Sequence, residues 1–341
     1  MEPLTAADPR TVADFRLRAR LGAGGMGRVY LATSPAGRIV AVKVIQPELA
    51  SDQEFSRRFR AEVDSARLVS GMYTAPVVGA GVDDVPPWLA TAFVPGPPLD
   101  DVVSRLGPLP VPALWRLAAG LAEALRAIHS VGVVHRDLKP GNVLLAADGP
   151  RVIDFGISRA LTRGRLTTTG SVIGTLGYMS PEQVQGQPVG PASDVFSLGC
   201  VLVFAAAGCS PFVPDTSKSP VSALYRVVHV DPDLADVPDE IRDLVRACLA
   251  KDPAGRPELG QVAAQCAVAS EHLWLSPATF WPGEIADDIQ AQQAALMAQL
   301  QAFQVPSATA AAALPADARA AAEPAGGADA ATLYPATSPA S

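Results

Sequence analysis

Three glycines, Gly22, Gly24 and Gly27, stand at G-x-G-x-x-G spacing in the stretch LGAGGMGRVYLA, residues 21 to 32. Two kinds of phosphate-meeting loop use that spacing: one opens a helix beneath a dinucleotide, the other is the tip of a β-hairpin. Further along the chain stand Lys43 in AVKVI, then His135, Arg136, Asp137, Lys139 and Asn142 together in HRDLKPGN, and Asp154 in VIDFGIS. Lysines, carboxylates and an amide in that order suit phosphoryl transfer. That reaction needs positioning and charge neutralisation and no covalent intermediate on the protein.

The dinucleotide alternative asks the third glycine to start a helix, with an acidic residue ~20 positions later to hold a ribose. Glu48 stands at about the right distance. Gly27, however, is followed by Val29 and Tyr30, a Pro35-Ala36-Gly37 turn and a second strand-like run, RIVAVKVI. Residues of that type and order form a hairpin, and a hairpin can lie over phosphates as a lid. Lys43 then falls on the next strand, within reach of nucleotide phosphates, although a lone strand lysine is most often a surface residue. A helix follows, with Phe55, Phe59, Val63, Ala66 and Val69 at three- and four-residue spacings. Glu62 on that helix can pair with Lys43, and Glu54 is the rival for the same role.

These elements must be held by two unlike layers. FRLRARL, RVYLAT, RIVAVKVI and PPWLATAFV read as strands around the single helix, an antiparallel β-rich lobe that ends at the PGPP turn. Beyond Pro110, ALWRLAAGLAEALRAIHSVG has helical periodicity and stops at Gly132, and the helical reading resumes around Asp194–Ala207 and Glu240–Ala250. The run from Val195 to Cys209 is shorter than the ~20 residues a bilayer needs and directly follows Asp194, so it reads as a buried helix and not a membrane span. EIADDIQAQQAALMAQLQAF carries Ile285, Ile289, Leu296, Leu300 and Phe303 on one stripe, an amphipathic helix either docked on the large lobe or paired with a second copy. After Pro306 the chain is Ala, Pro, Gly, Ser and Thr with few large apolar groups, the composition of a disordered tail.

Composition narrows the partners. A net charge of −7 excludes a phosphate-backbone binder, hence no nucleic acid, and excludes a polybasic membrane anchor. The 4 cysteines form no C-x-x-C pair and sit in apolar stretches, as reduced buried thiols do in the cytosol. The acidic, proline-containing start MEPLTAADPR lacks the basic and apolar regions of a signal peptide, which also points to a cytoplasmic protein.

With the motif set in this order, the sequence resembles the bacterial Hanks-type, eukaryotic-like serine/threonine protein kinases over about residues 15 to 270. The resemblance implies an α+β, bilobal protein-kinase-like fold with a small antiparallel β lobe carrying one main helix and a larger, mainly α-helical lobe. It divides the chain into an N-terminal extension at 1–14 and a kinase domain at 15–270, with a small lobe about 15–95 and a large lobe about 96–270. A helical extension at 271–305 and the Ala/Pro-rich tail at 306–341 follow.

The resemblance also assigns roles. Leu21, Gly22, Ala23, Gly24, Gly25, Met26, Gly27, Arg28 and Val29 form the loop over ATP, with Leu21 and Val29 above the adenine. Ala41 joins the nucleotide-binding set, Lys43 holds the α- and β-phosphates when paired with Glu62, and Leu144 floors the adenine. Backbone groups of Ala92 and Val94 in the hinge bond the base, beside Thr91 as gatekeeper. Asp137 orients the acceptor hydroxyl and Lys139 steadies the γ-phosphate. Asn142 and Asp154 bind Mg²⁺, with Mn²⁺ as the alternative, because hard cations take oxygen ligands. Asp194 supports the catalytic loop through backbone N–H groups, and Glu182 pairs with Arg256. The LKP context implies protein substrates carrying Ser or Thr. Arg136 beside Asp137 implies activation by autophosphorylation at Thr167, Thr168, Thr169 or Ser171. A homodimer phosphorylating in trans fits that mode. The rivals are a catalytically silent member of the fold and a kinase of small molecules.

Overall fold

The computed structural model describes residues 1–24, 27–50, 52–69, 71–155, 176–212, 219–270 and 280–304. Its first layer is a seven-stranded sheet of β1 (Glu2–Pro3), β2 (Thr11–Val12), β3 (Phe15–Gly24), β4 (Gly27–Thr33), β5 (Ile39–Ile45), β6 (Val77–Gly81) and β7 (Trp88–Ala92). The order is β1-β3-β4-β5-β7-β6 with β2 also on β3, and every pairing is antiparallel. Residues 1–14, expected as an extension, thus supply two strands to the sheet; pairs of residues are too short to show a period. Alternation along the strands gives the sheet two apolar faces. Leu17, Tyr30, Ala32, Val40, Val42, Trp88 and Ala90 pack with Val12 on the outer face, while Ile45 and Leu89 meet Phe55, Phe59 and Val63 on the other.

Those phenylalanines belong to α2 (Gln53–Ala66), which follows a single turn, α1 (Pro47–Ala50). Asp52 caps α2 by accepting from the Glu54 and Phe55 N–H groups at 2.8 and 3.2 Å. The buried positions Phe55, Phe59, Val63 and Ala66 recur at the expected spacing, so α2 lies with its apolar stripe on the sheet and its charged face outward.

The second layer is helical: α3 (Leu99–Leu106), α4 (Val111–Ser130), α5 (Pro181–Val184), α6 (Pro191–Ala207), α7 (Pro220–His229), α8 (Asp239–Cys248) and α9 (Leu259–Ser270), with a small hairpin of β8 (Val143–Ala146) and β9 (Gly149–Val152). The apolar run after Asp194 is α6, buried almost all round and ended by Gly208 at φ 76°. Among the described residues no helix is long and apolar enough to cross a membrane. Cys200, Cys248 and Cys266 are buried free thiols, and burial pushes Cys248 up to about 12, so it stays protonated and inert.

The first half of the last helix, α10 (Gly283–Gln304), packs on the large lobe. The compact unit runs from Met1 to Ala298, and within it Trp281, Ile285 and Ile289 are part of the large-lobe core. Trp281 Nε1 donates to the Ala146 carbonyl at 2.7 Å, and Gln293 Nε2 to that of Pro95 at 2.8 Å. The second unit, Gln299–Ser341, contributes only the end of α10 to the described residues, and the segment 306–341 lies outside them.

A buried ion pair ties α5 to the rest of the large lobe. Arg256 donates to both oxygens of Glu182 at 2.7 and 2.8 Å, and Ser193 Oγ adds a bond of 2.6 Å. Burial alone would raise the Glu182 carboxyl; the bonds from Arg256 and Ser193 outweigh it and hold the group down at about 2. Its stabilising contribution is therefore full above the ordinary value of 4.5 and fades as the pH falls toward about 2. Thermal unfolding followed from pH 7 to pH 3 is expected to show this loss in the parent. Glu182→Ala should be less stable by about 3–5 kcal/mol at pH 7, since an unpaired buried guanidinium remains, and should lack that part of the acid dependence.

Candidate active site

The glycine hairpin is built by β3 and β4. Gly24 faces Gly27 across its tip, Gly22 faces Val29, and Val29 faces Lys43 on β5. The tip residues Gly25 and Met26 lie outside the described residues. The three motif glycines serve different purposes. A Cβ on Gly27 would come within 1.9 Å of the Val44 carbonyl oxygen, so the close packing of β4 on β5 itself demands glycine there. A Cβ on Gly22 or Gly24 would meet nothing within 4 Å, so open space surrounds these two positions.

Register places the remaining upper-lobe residues. Leu31, Ala41 and Thr91 are successive cross-strand partners, as are Val29, Lys43 and Leu89, so Val29, Ala41, Lys43 and Thr91 share one face of the sheet. Arg28 has the opposite parity. Its side chain lies on the Tyr30 face, 3.6 Å from Asp8, so the part left to Arg28 in the loop over ATP is that of its backbone. The alternation of a strand decides this: β4 cannot aim Val29 and Arg28 at the same cleft.

The hinge leaves β7 at Ala92, whose N–H donates to the Pro76 carbonyl at 2.9 Å. The chain through Val94 then lies against β8: Leu145 N–H donates to Pro97 O at 2.8 Å, and Pro98 bridges Leu144. A Cβ on Gly96 would come within 2.4 Å of the Leu145 carbonyl oxygen, so the hinge can approach β8 this closely only through a glycine. Ala92, Val94 and Leu144 are all half-buried, as lining positions of a cleft are.

Below lies the loop HRDLKPGN. Lys139 Nζ donates to Asp137 Oδ2 at 2.9 Å, and Asn142 Nδ2 donates to the Asp137 carbonyl at 2.7 Å and to its Oδ2 at 3.1 Å. Asn142 closes a 3₁₀ turn, Pro140–Asn142, and its carbonyl accepts from Ile153 N–H at 3.0 Å, which brings Asp154 beside it. Asp154 sits at φ 58°, a left-handed conformation uncommon outside glycine, and Arg136 at φ 68° is another. Lys43 reaches across to the lower lobe. The Lys43 ammonium is ion-paired with Asp154 Oδ2 at 2.9 Å, and Asp154 holds the left-handed backbone at φ 58°. Glu62 is half-buried on α2.

The loop is fixed from beneath. Asp194 is fully buried and accepts from the His135 and Arg136 N–H groups at 2.8 Å each and from His129 Nε2 at 2.6 Å. His135 is buried too, and burial lowers its value, so the imidazole is neutral and its Nδ1 accepts from Asp137 N–H at 3.2 Å. Two supports went unread in the sequence. Gln183 Nε2 donates to the Arg136 carbonyl at 2.9 Å, and the S-x-x-Q spacing of Ser180 and Gln183, a capping box, was the available signal for that side chain. His129 pairs with an acid 65 positions away and carries no local signal. Thr167, Thr168, Thr169 and Ser171 lie outside the described residues.

Residues 15–274 match the family described as protein kinase domain. The chain belongs to that family. This kinase domain is 53% identical over 265 residues to a probable serine/threonine-protein kinase, PkwA, of Thermomonospora curvata, covering 78% of this chain and 35% of that protein. It is 51% identical over 268 residues to the serine/threonine-protein kinase AfsK of Streptomyces coelicolor, covering 78% and 33%. The chain thus spans about a third of the length of these relatives. Among solved structures, the kinase domain of PknI from M. tuberculosis superposes with a TM-score of 0.62 at 26% identity, covering 77% of this chain and 99% of that one.

The unequal roles of the glycines give a test within this kinase domain. Gly27→Ala should cost about 1–3 kcal/mol in urea unfolding, since its methyl group meets fixed backbone. Gly22→Ala, with open space above it, should stay within about 0.5 kcal/mol of the parent.

Proposed function

We propose that this protein is a serine/threonine protein kinase that moves the γ-phosphate of ATP to Ser and Thr hydroxyls of proteins. The observation that carries this reading is the convergence of Lys43 and Asp154 from the two lobes with Asp137, Lys139 and Asn142 on one loop. The relatives' names agree with it.

The donor set fits a hard divalent cation. Asn142 spends its N–H₂ on Asp137, which leaves its amide oxygen as an acceptor, and Asp154 offers a carboxylate next to it. We assign both to Mg²⁺, with Mn²⁺ as substitute; the metal supplies charge neutralisation on the phosphates. Backbone N–H groups along Gly22 to Gly27 cover the phosphates, and Gly22 and Gly24 leave room for them. Lys43 holds α- and β-phosphate oxygens, with Glu62 behind it on α2. Asp137 takes the hydrogen bond of the acceptor hydroxyl and aligns its oxygen with the phosphorus, and Lys139, now on Asp137, turns to the γ-phosphate. Leu21, Val29, Ala41 and Leu144 enclose the adenine, and the backbones of Ala92 and Val94 bond it. Thr167, Thr168, Thr169 and Ser171 are the proposed autophosphorylation sites, and transfer between two copies is the proposed route.

Purified protein incubated with ATP and Mg²⁺ should gain phosphate by intact mass, with fragmentation placing it between Thr167 and Ser171. Asp137→Asn should lose about 10²–10⁴-fold in rate. EDTA should stop the reaction and excess Mg²⁺ restore it. If neither protein gains phosphate after phosphatase treatment and with a generic acceptor protein present, the reading is wrong.

A further inference from the structure

Outside the cleft, the carboxylate of Asp8 is heavily bonded. It is fully enclosed, and its two oxygens face different partners. Oδ2 accepts from Thr5, from the N–H at 2.7 Å and from Oγ1 at 2.9 Å, so it belongs to the N-terminal segment. Oδ1 accepts from Arg20 Nε at 2.9 Å and Nη2 at 2.8 Å and from Tyr30 OH at 2.9 Å, so it belongs to the hairpin. Arg20 Nη2 also reaches Thr5 Oγ1 at 3.0 Å.

Arg20 and Tyr30 are direct cross-strand partners, one on β3 and one on β4. They stand immediately outside Leu21 and Val29, at the base from which the glycine hairpin projects. Arg28, further toward the tip, brings its guanidinium to 3.6 Å from the same Oδ1. The segment bearing Asp8 is itself fastened along β3: Glu2 pairs with Arg20, Pro3 with Ala19, Thr11 with Arg16 and Val12 with Phe15, and Leu17 N–H donates to Arg10 O at 3.0 Å. Val12 is buried in the core of the outer face. A hairpin built on the motif glycines thus has both of its strands tied at the base to one buried anion, on the face away from the nucleotide.

We propose that Asp8 is a positioning residue for nucleotide binding, and that residues 1–12 act as a clamp that sets the height of the glycine hairpin over ATP. The inference rests on the ATP reading above. A hairpin released at its base would sample more positions, so ordering it over the phosphates would cost more on binding, and the loss would fall on ATP affinity. The acceptor peptide, bound elsewhere, would feel little of it.

The test uses the full chain at a temperature where every variant is folded by circular dichroism. The parent must first transfer phosphate and bind ATP–Mg²⁺; if it does not, the ATP reading fails before the clamp is tested. Asp8→Asn keeps the size and removes the charge that Arg20, Arg28 and Tyr30 share. It should raise KM for ATP about five- to tenfold, with kcat and the peptide KM within about twofold. Tyr30→Phe, which deletes one bond and keeps the ring, should raise KM for ATP about two- to threefold, and it decides the matter if Asp8→Asn does not fold. Hydrogen exchange over residues 21–29 should quicken in both. A fall in melting temperature with KM for ATP unchanged in both variants would overturn the proposal and leave Asp8 as part of the small-lobe core alone.

Discussion

A buried negative charge organises the catalytic half of this molecule. An isolated carboxylate in the position of Asp194 would be prohibitively costly, so it persists only because His129 and two backbone N–H groups meet it at hydrogen-bond distance. Those two N–H groups belong to His135 and Arg136, the residues just before Asp137. The anion therefore dictates the backbone of the catalytic loop, including the left-handed turn at Arg136 that few side chains adopt unassisted. Strain at one residue is accepted because three donors would otherwise lose their acceptor.

From that fixed point the rest of the lower site follows by short steps. His135, held neutral by burial, passes the constraint to Asp137 N–H, and Gln183 fastens the Arg136 carbonyl from α5. Glu182, next to Gln183, is locked in turn by Arg256 and by Ser193, one position before Asp194 on α6. Two buried carboxylates one residue apart in their anchoring thus hold both ends of one structure: the loop that carries Asp137 and the helix that follows the segment bearing the candidate phosphosites. Movement of either anchor would be felt at Asp137.

Much of this was legible because the chemistry is local. Asp137, Lys139 and Asn142 fall within six positions, and a loop that short must bring them together whatever surrounds it. Strand alternation around Lys43, the stripe of α2 and the apolar run of α6 were likewise carried by neighbours in sequence. What could not be read depends on distant pairing. Lys43 meets Asp154 across 111 positions, and His129 meets Asp194 across 65; no spacing rule links such residues. The N-terminal strands escaped for a different reason, since two residues carry no period, and β6, VVGAG, has glycines where a strand normally shows its side chains.

The cleft is consequently bounded by parts of unequal freedom. Its floor is fixed by Asp194, and its back is fixed where the hinge lies on β8, with Leu145 bonded to Pro97 and Gln293 of α10 bonded to Pro95. Its roof hangs from a hairpin that is glycine-rich at the tip and tied at the base. Between roof and floor runs the Lys43–Asp154 pair, half-exposed at its carboxylate end and joining the two residues proposed above to hold phosphate and metal. The pair reaches solvent at its carboxylate end, so on the proposed reading it can be exchanged for contacts to the nucleotide. On the proposed reading, a site arranged this way confines its adjustment to the Lys43–Asp154 contact, while the elements beneath it stay anchored in buried charge.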